Sequence, residues 1–483
     1  MLFNSIQFLF FFPIVILIYF CIPQKLKIYW LLAASYYFYM CWNVKYIVLL
    51  LTSTVITYAA SLLLEVGKKY KKLIVAGSFL ANLSILALFK YYNFFGDAIT
   101  ALFGNLGIAV SIPEFDVLLP VGISFYIFQA LGYTMDVYRG EVKAEKNFVN
   151  YALFVSFFPQ LVAGPIERTK NLLHQIKEPH YFDEKRVAYG LQLMVWGLFK
   201  KLVIADKAAI LVDTVYGNYQ IYSGWELVIA TMLFAVQIYC DFSSYSDIAI
   251  GAAQVMGFTL MQNFRQPYFS QSVSEFWRRW HISLSTWFRD YLYIPLGGGR
   301  CRPLRHYMNL MIVFLVSGLW HGANWTYVIW GGINGFYQII ENVLKKRFGC
   351  KLSSERFGGK VFRMFSTFLL INFSWIFFRA DNLAAALGII RRMFSVNNAW
   401  LFFDGSLSGM GLDFKDLFVL FISLEVLAGV SILQYCNVHI RECIARQNIV
   451  FRYMLYAASI VSIIIFGVYG AAYDATSFIY FQF

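Results

Sequence analysis

An all-α polytopic membrane protein is the fold class this sequence predicts, on three observations. Hydrophobic residues make up 59% of the 483 positions and charged residues only 14%, well under the charge of a soluble domain. Apolar runs of bilayer-spanning length recur along the whole chain. The basic residues between them gather in short loops, as membrane topology requires, instead of spreading over a surface.

Taken in order, the apolar runs lie near residues 5–22, 28–43, 46–65, 73–92, 118–135, 148–165, 188–212, 226–258, 307–342, 362–379, 413–434 and 453–472. Several exceed one span or are broken by Gly, Pro and polar residues. The expectation is therefore roughly eleven to fourteen transmembrane and re-entrant helices. The first run lacks a basic flank and a small-residue cleavage site, so it is read as a retained helix. Lys25 and Lys27, then Lys68, Lys69, Lys71 and Lys72, fall in alternate loops. The positive-inside rule makes those loops cytoplasmic and puts the N-terminus outside. Arg441, Arg446 and Arg452 precede the last span, which places the tail at 473–483 outside as well. Topology thus accounts for much of the net charge of +13, and no nucleic-acid partner is expected. Seven cysteines without metal-ligand spacing imply neither a disulfide framework nor a metal site. With no internal repeat and no linker, residues 1–483 read as a single integral membrane domain.

Polar groups inside the apolar runs mark the candidate functional positions. Trp320-His321 lies in an aromatic helix expected over 313–330, VFLVSGLWHGANWTYVIW. An ionisable ring at membrane depth is costly unless it lines a cavity or bonds to a neighbouring helix. Asp241 and Asp247 share one run, but six residues turn a helix by about 600°, so they occupy different faces. Gln129, Tyr133 and Asp136 recur at i, i+4 and i+7 and make one polar stripe, read either as the wall of a wet tunnel or as interhelical bonding. SFFPQLVAGPIERTK, residues 156–170, contains helix-breaking Pro159, Gly164 and Pro165. The stretch 262–306 is too charged to cross lipid yet dense in Trp, Tyr and Phe, which suits interfacial or re-entrant helices. In it Glu275 precedes Arg278 and Arg279 at helical spacing, and Pro295 with Gly297, Gly298 and Gly299 ends the segment in a turn. Arg300, Arg302 and Arg305 follow, which assigns this unit to the cytoplasmic side.

Five stretches together resemble the bacterial membrane-bound O-acyltransferase family, in its branch typified by the membrane subunit of alginate O-acetylation. They are LPVGISFYIFQALGYTMDVYRG, FFPQLVAGPIERTK, DFSSYSDIAIGAAQVMGF, NFRQPYFSQSVSEFWRRWHISLSTWFRDYLYIPLGG and VFLVSGLWHGANWTYVIWGGINGFYQIIE, which run in one order from about residue 118 to 342.

The resemblance implies a funnel-like helical bundle open to both sides near a catalytic histidine, here His321 in SGLWHG. It marks His281, in RRWHISLS, as a second functional position. Trp320, Asn324, Arg278, Arg279, Asp241 and Gln129 are the candidate donor- or substrate-binding residues. No bound cofactor is expected; the implied donor is a cytoplasmic acyl thioester such as acetyl-CoA. General-base assistance by a histidine is worth roughly 10²–10⁴-fold. The tail SFIYFQF places Tyr480 beside the carboxy-terminus, either as an interfacial anchor or, as the resemblance implies, as an acyl relay. The implied partners are an extracytoplasmic esterase-fold (SGNH-type) acetyltransferase, a cell-surface polysaccharide as acceptor, and membrane lipid. D-alanyl transfer from a carrier protein to teichoic acid stays open, as does a non-enzymatic lipid or polysaccharide transporter. The expected location is the bacterial inner membrane.

Overall fold

The computed structural model describes residues 1–67, 69–115, 120–349 and 357–469, all helices, turns and loops with no β-strand among them. Among the described residues six helical stretches are long and apolar enough to cross a membrane: Val44–Val66, Lys71–Asn105, Trp225–Met256, Phe357–Arg379, Phe414–Tyr435 and Ile449–Phe466. Helix is what an apolar environment demands, because every backbone N–H and C=O must be satisfied within its own segment. The chain's contacts group into two compact units: Met1–Gly190 with Ala249–Met261, and Leu191–Ile248 with the described residues from Gln262 onward.

The first unit holds α1 (Ile6–Cys21), α2 (Gln24–Met40), α3 (Ile47–Val66), α4 (Lys71–Leu86), α5 (Tyr92–Asn105), α6 (Ile123–Tyr138), α7 (Phe148–Ser156), α8 (Phe158–Leu161) and α9 (Thr169–Ile176). The apolar run near 148–165 is broken at Phe157, and Pro159 enters the first turn of α8, where its missing N–H costs nothing. The polar stripe of α6 makes bonds to neighbouring helices. Gln129 Nε2 donates to the Phe154 carbonyl, and the Tyr133 hydroxyl donates to Ser61 Oγ at 3.1 Å. Glu167, following the prolines, is buried and accepts from the Met261 amide and from Asn171 Nδ2. Burial pushes its carboxyl up to about 7 against the pull of those bonds.

α10 (Glu184–Phe199) leads into the second unit through a π-helical stretch, Lys200–Ala205, and α11 (Asp206–Gly217). α12 (Trp225–Met256) follows, then the short α13 (Val273–Arg279) and α14 (Ile282–Phe288) with a π-helical turn at Arg289–Tyr293. The remaining helices are α15 (Pro303–His321), α16 (Trp325–Phe348), α17 (Phe357–Arg379), α18 (Leu383–Met393), α19 (Phe414–Tyr435), α20 (Ile440–Ala445) and α21 (Ile449–Phe466). The stretch 262–306 is thus short helices and turns, and Gly297 (φ 111°) and Gly298 (φ 57°) make the turn after Pro295 in backbone that only glycine adopts readily.

One expectation is overturned here: no single helix runs over 313–330. α15 ends at His321 and α16 begins at Trp325. Asn324 accepts from the Thr326 amide at 3.0 Å and its Nδ2 donates to the Asp381 carbonyl at 2.8 Å. It is a helix cap and a brace to the α17–α18 turn. The two helices pack as a close hairpin through glycine. A Cβ on Gly318 would sit 2.2 Å from the Tyr327 carbonyl oxygen, and one on Gly331 would sit 2.2 Å from that of Phe314.

Candidate active site

The α15–α16 turn places His321 at a helix end, in an aromatic box. Its ring lies 5.0 Å from Trp320, 5.1 Å from Trp330 and 5.4 Å from Phe378, centroid to centroid. Trp330 stacks on Trp375 at 5.7 Å, and Trp375 packs on Trp280 at 5.2 Å. Offset and edge-on aromatic pairs of this kind fix ring positions beyond what apolar burial alone does. Trp320 also lies 6.1 Å from the ring of His281, so it stands between the two histidines.

A cavity of about 360 Å³ connects these groups. On α15 it is lined by Leu310, Val313, Phe314, Ser317 and His321, which recur at helical spacing along one face. The eleven steps from Leu310 to His321 at 1.5 Å rise make that face about 16 Å long. His281 and His321 are buried, 2% and 4% exposed, whereas Arg278 and Arg289, the latter paired with Asp290 at 2.7 Å, are exposed at the mouth with Tyr293 beside them. The Tyr293 hydroxyl is 2.8 Å from His306 Nδ1, and Asn309 Nδ2 donates to the Gly298 carbonyl at 3.1 Å, tying the glycine turn to α15. The arrangement is a cationic mouth, an aromatic channel and a buried imidazole. Guanidinium groups suit phosphate oxygens, and low-dielectric aromatic walls strengthen polar interactions made between them.

The other candidates fall elsewhere. Arg279 pairs with Glu275 at 2.6 Å and lies 5.6 Å from the Tyr435 ring, so the expected helical pairing forms and Arg279 does not line the cavity. Asp241 accepts from Lys201 Nζ at 2.6 Å, and the same ammonium meets Asp206 at 2.7 Å. Asp247 pairs with Lys200 at 2.8 Å, and Lys200 also donates to Ser243 Oγ at 2.6 Å. A carboxylate buried among apolar helices needs a counter-charge, which Lys201 supplies to Asp241. The lysines stand as a charged pair in the middle of the run 188–212; what hides the network is that Asp241 and Asp247 lie forty or more residues on. Tyr480 and the tail at 473–483 lie outside the described residues.

Residues 26–378 match the family described as MBOAT, the membrane-bound O-acyltransferase family. The chain belongs to that family. It is therefore a multi-pass membrane protein and an O-acyltransferase, and the transporter reading falls away. A probable alginate O-acetylase, AlgI, of Pseudomonas putida is 41% identical over 404 residues, 82% of this chain and 80% of that protein. A peptidoglycan O-acetyltransferase of Helicobacter pylori is 35% identical over 438 residues, 83% of this chain and 81% of that protein. A teichoic acid D-alanyltransferase of Streptococcus thermophilus is 26% identical over 281 residues, 53% of this chain and 68% of that protein.

Proposed function

We propose that this O-acyltransferase takes an acetyl group from a cytoplasmic thioester such as acetyl-CoA and delivers it for O-acetylation of an extracytoplasmic polysaccharide at the bacterial inner membrane. The cavity carries the proposal: one face of α15 leads from exposed Arg278 and Arg289 to buried His321. The donor's phosphates suit the arginines, and its pantetheine arm suits the aromatic channel. His321 takes the proton from an attacking hydroxyl as the new C–O bond forms and the thioester C–S bond breaks. The same proton then leaves with the thiolate as free thiol, so the cycle is balanced without a cofactor. His281 is the second functional position in this scheme.

The relatives that transfer acetyl groups match over four-fifths of the chain, while the D-alanyl relative matches over about half, which favours acetyl. The basic loops at Arg300–Arg305 and at Arg441–Arg452 favour a cytoplasmic mouth and extracytoplasmic termini. Tyr480 then lies on the acceptor side. A phenol of pKa about 10 leaves more readily than an aliphatic alcohol, so an acetyl-Tyr480 retains the transfer potential to acylate a serine of an SGNH-type partner.

The test is the mass of the C-terminal peptide after purified protein meets acetyl-CoA. One acetyl group on Tyr480, absent in His321→Ala and Tyr480→Phe, supports donor, base and relay together. Polymer acetylation undiminished in Tyr480→Phe removes the relay. Acylation from a D-alanyl carrier protein but not from acetyl-CoA reverses the donor.

A further inference from the structure

His281 adopts a left-handed backbone conformation, φ 43° and ψ 55°, between α13 and α14. A residue with a Cβ is strained there and stays only where its surroundings hold it. Asn263, eighteen residues earlier, supplies the hold. Its carbonyl accepts from the Ile282 amide at 2.9 Å, and the Arg265 amide donates to the Arg279 carbonyl at 2.9 Å on the other side of the turn. Its side-chain Oδ1 accepts from the Ser283 amide at 3.2 Å and the Ser283 hydroxyl at 2.9 Å, while Nδ2 donates to Ser246 Oγ at 3.2 Å. A backbone N–H is only a donor, so the Ser283 amide settles which end of the Asn263 amide is oxygen.

That same oxygen lies 3.1 Å from His281 Nδ1. Nδ1 also lies 3.4 Å from the Ser283 hydroxyl, but that hydroxyl's one proton goes to the nearer Asn263 oxygen, so the acceptor-only oxygen at 3.1 Å is met by a proton on Nδ1. We infer that Asn263 is a positioning residue that holds His281 as its Nδ1–H tautomer, making Nε2 the proton-accepting nitrogen of a ring that lines the acyl-transfer cavity. The ring is gripped on its other sides by Phe242, at 4.6 Å, and Trp320, at 6.1 Å. The titratable and charged groups sharing its cavity are His321, Arg278, Arg289 and Tyr293, and no carboxylate lines it among the described residues. Asn263 is thus the polar partner that sets which nitrogen is basic. Neither the composition of NFRQPY nor its spacing from RRWHISLS reveals this, because the two meet only through the left-handed turn.

The inference rests on the acyl-transfer reading above. Its test compares Asn263→Ala and Asn263→Asp with His321→Gln in membrane vesicles supplied with acetyl-CoA, reading rate at saturating donor, KM and pH profile. Asn263→Ala is expected to lower the rate at least about tenfold with KM for the donor within about threefold, because ring orientation acts on chemistry more than on binding. Asn263→Asp keeps the acceptor and the shape but adds a charge that favours the imidazolium. It is expected to recover orientation and move the acid limb of the profile up by about one pH unit. Should the alanine variant not fold, the aspartate profile alone decides. A wild-type rate in Asn263→Ala, or an unmoved acid limb in Asn263→Asp, overturns the inference. If His321→Gln abolishes transfer while the Asn263 variants behave as wild type, only the role of Asn263 fails; if His321→Gln also transfers normally, the functional reading itself fails.

Discussion

Gly331→Ala should damage this protein and Gly332→Ala, one residue along, should not. At position 331 the new Cβ meets three backbone atoms of α15: the Phe314 oxygen at 2.2 Å, its carbon at 3.0 Å and Gly318 Cα at 3.3 Å. Real Cβ atoms essentially never come within 3.0 Å of another atom, so α15 and α16 must separate by at least about 0.8 Å at that level. No side chain can swing away, since every obstructing atom belongs to helix backbone. Overpacking of this kind costs about 1–3 kcal/mol. Trp330, next to the new methyl, is part of the box around His321, and a misplacement near 1 Å costs on the order of 10²-fold in rate. At position 332 the nearest atom is Leu315 Cδ2 at 3.6 Å, an ordinary contact. That substitution should be neutral or stabilise by roughly 0.4–1 kcal/mol. Both variants are compared by melting midpoint in detergent and by transfer rate per folded protein. Equal stability and equal activity for the two would refute the hairpin packing on which the placement of His321 depends.

Other expectations follow from the charged groups. Lys201→Met should destabilise the second unit by about 3–5 kcal/mol, because Asp206 and Asp241 lose the ammonium they share; adding Asp241→Asn should restore part of the lost melting midpoint, and an unchanged midpoint in the single variant contradicts the network. Arg278→Ala should raise KM for acetyl-CoA about threefold to tenfold, whereas Arg279→Ala, whose partner is Glu275, should leave KM where it is; the reverse pattern would place the donor elsewhere. Glu167 holds its proton more tightly folded than unfolded, with its carboxyl raised from 4.5 to about 7. Its contribution is therefore fully present below pH 4.5 and is lost as pH rises through 7, on the order of 3 kcal/mol in total. Glu167→Gln should flatten the fall in melting midpoint across that window, and a wild-type slope in the variant would assign the dependence to another group.

What the sequence disclosed depended on whether a feature is local. The run at 226–258 becomes α12, and that at 413–434 becomes α19, because length and apolarity alone decide a span. The turn at Pro295–Gly299 was readable for the same reason, from residues that impose their own backbone geometry. The break after His321 was harder: the residues around it are as apolar as the helices, and only Gly322 and the capping Asn324 signal an end. His281 and Asn263 illustrate the opposite case. Their hydrogen bond joins positions eighteen apart through a left-handed turn that residues other than glycine adopt only uncommonly. Likewise the ammonium that Asp241 shares with Asp206 comes from Lys201, forty residues earlier, a pairing that spacing alone does not show.

The central claim is that acyl transfer runs through His321 at the end of the α15 channel. Its most direct test is acetyl transfer from labelled acetyl-CoA to extracytoplasmic polymer, measured for wild type and His321→Gln at equal amounts of folded protein. The account predicts a loss of about 10²–10⁴-fold in the variant, with the melting midpoint little changed. Transfer by His321→Gln at the wild-type rate would contradict it.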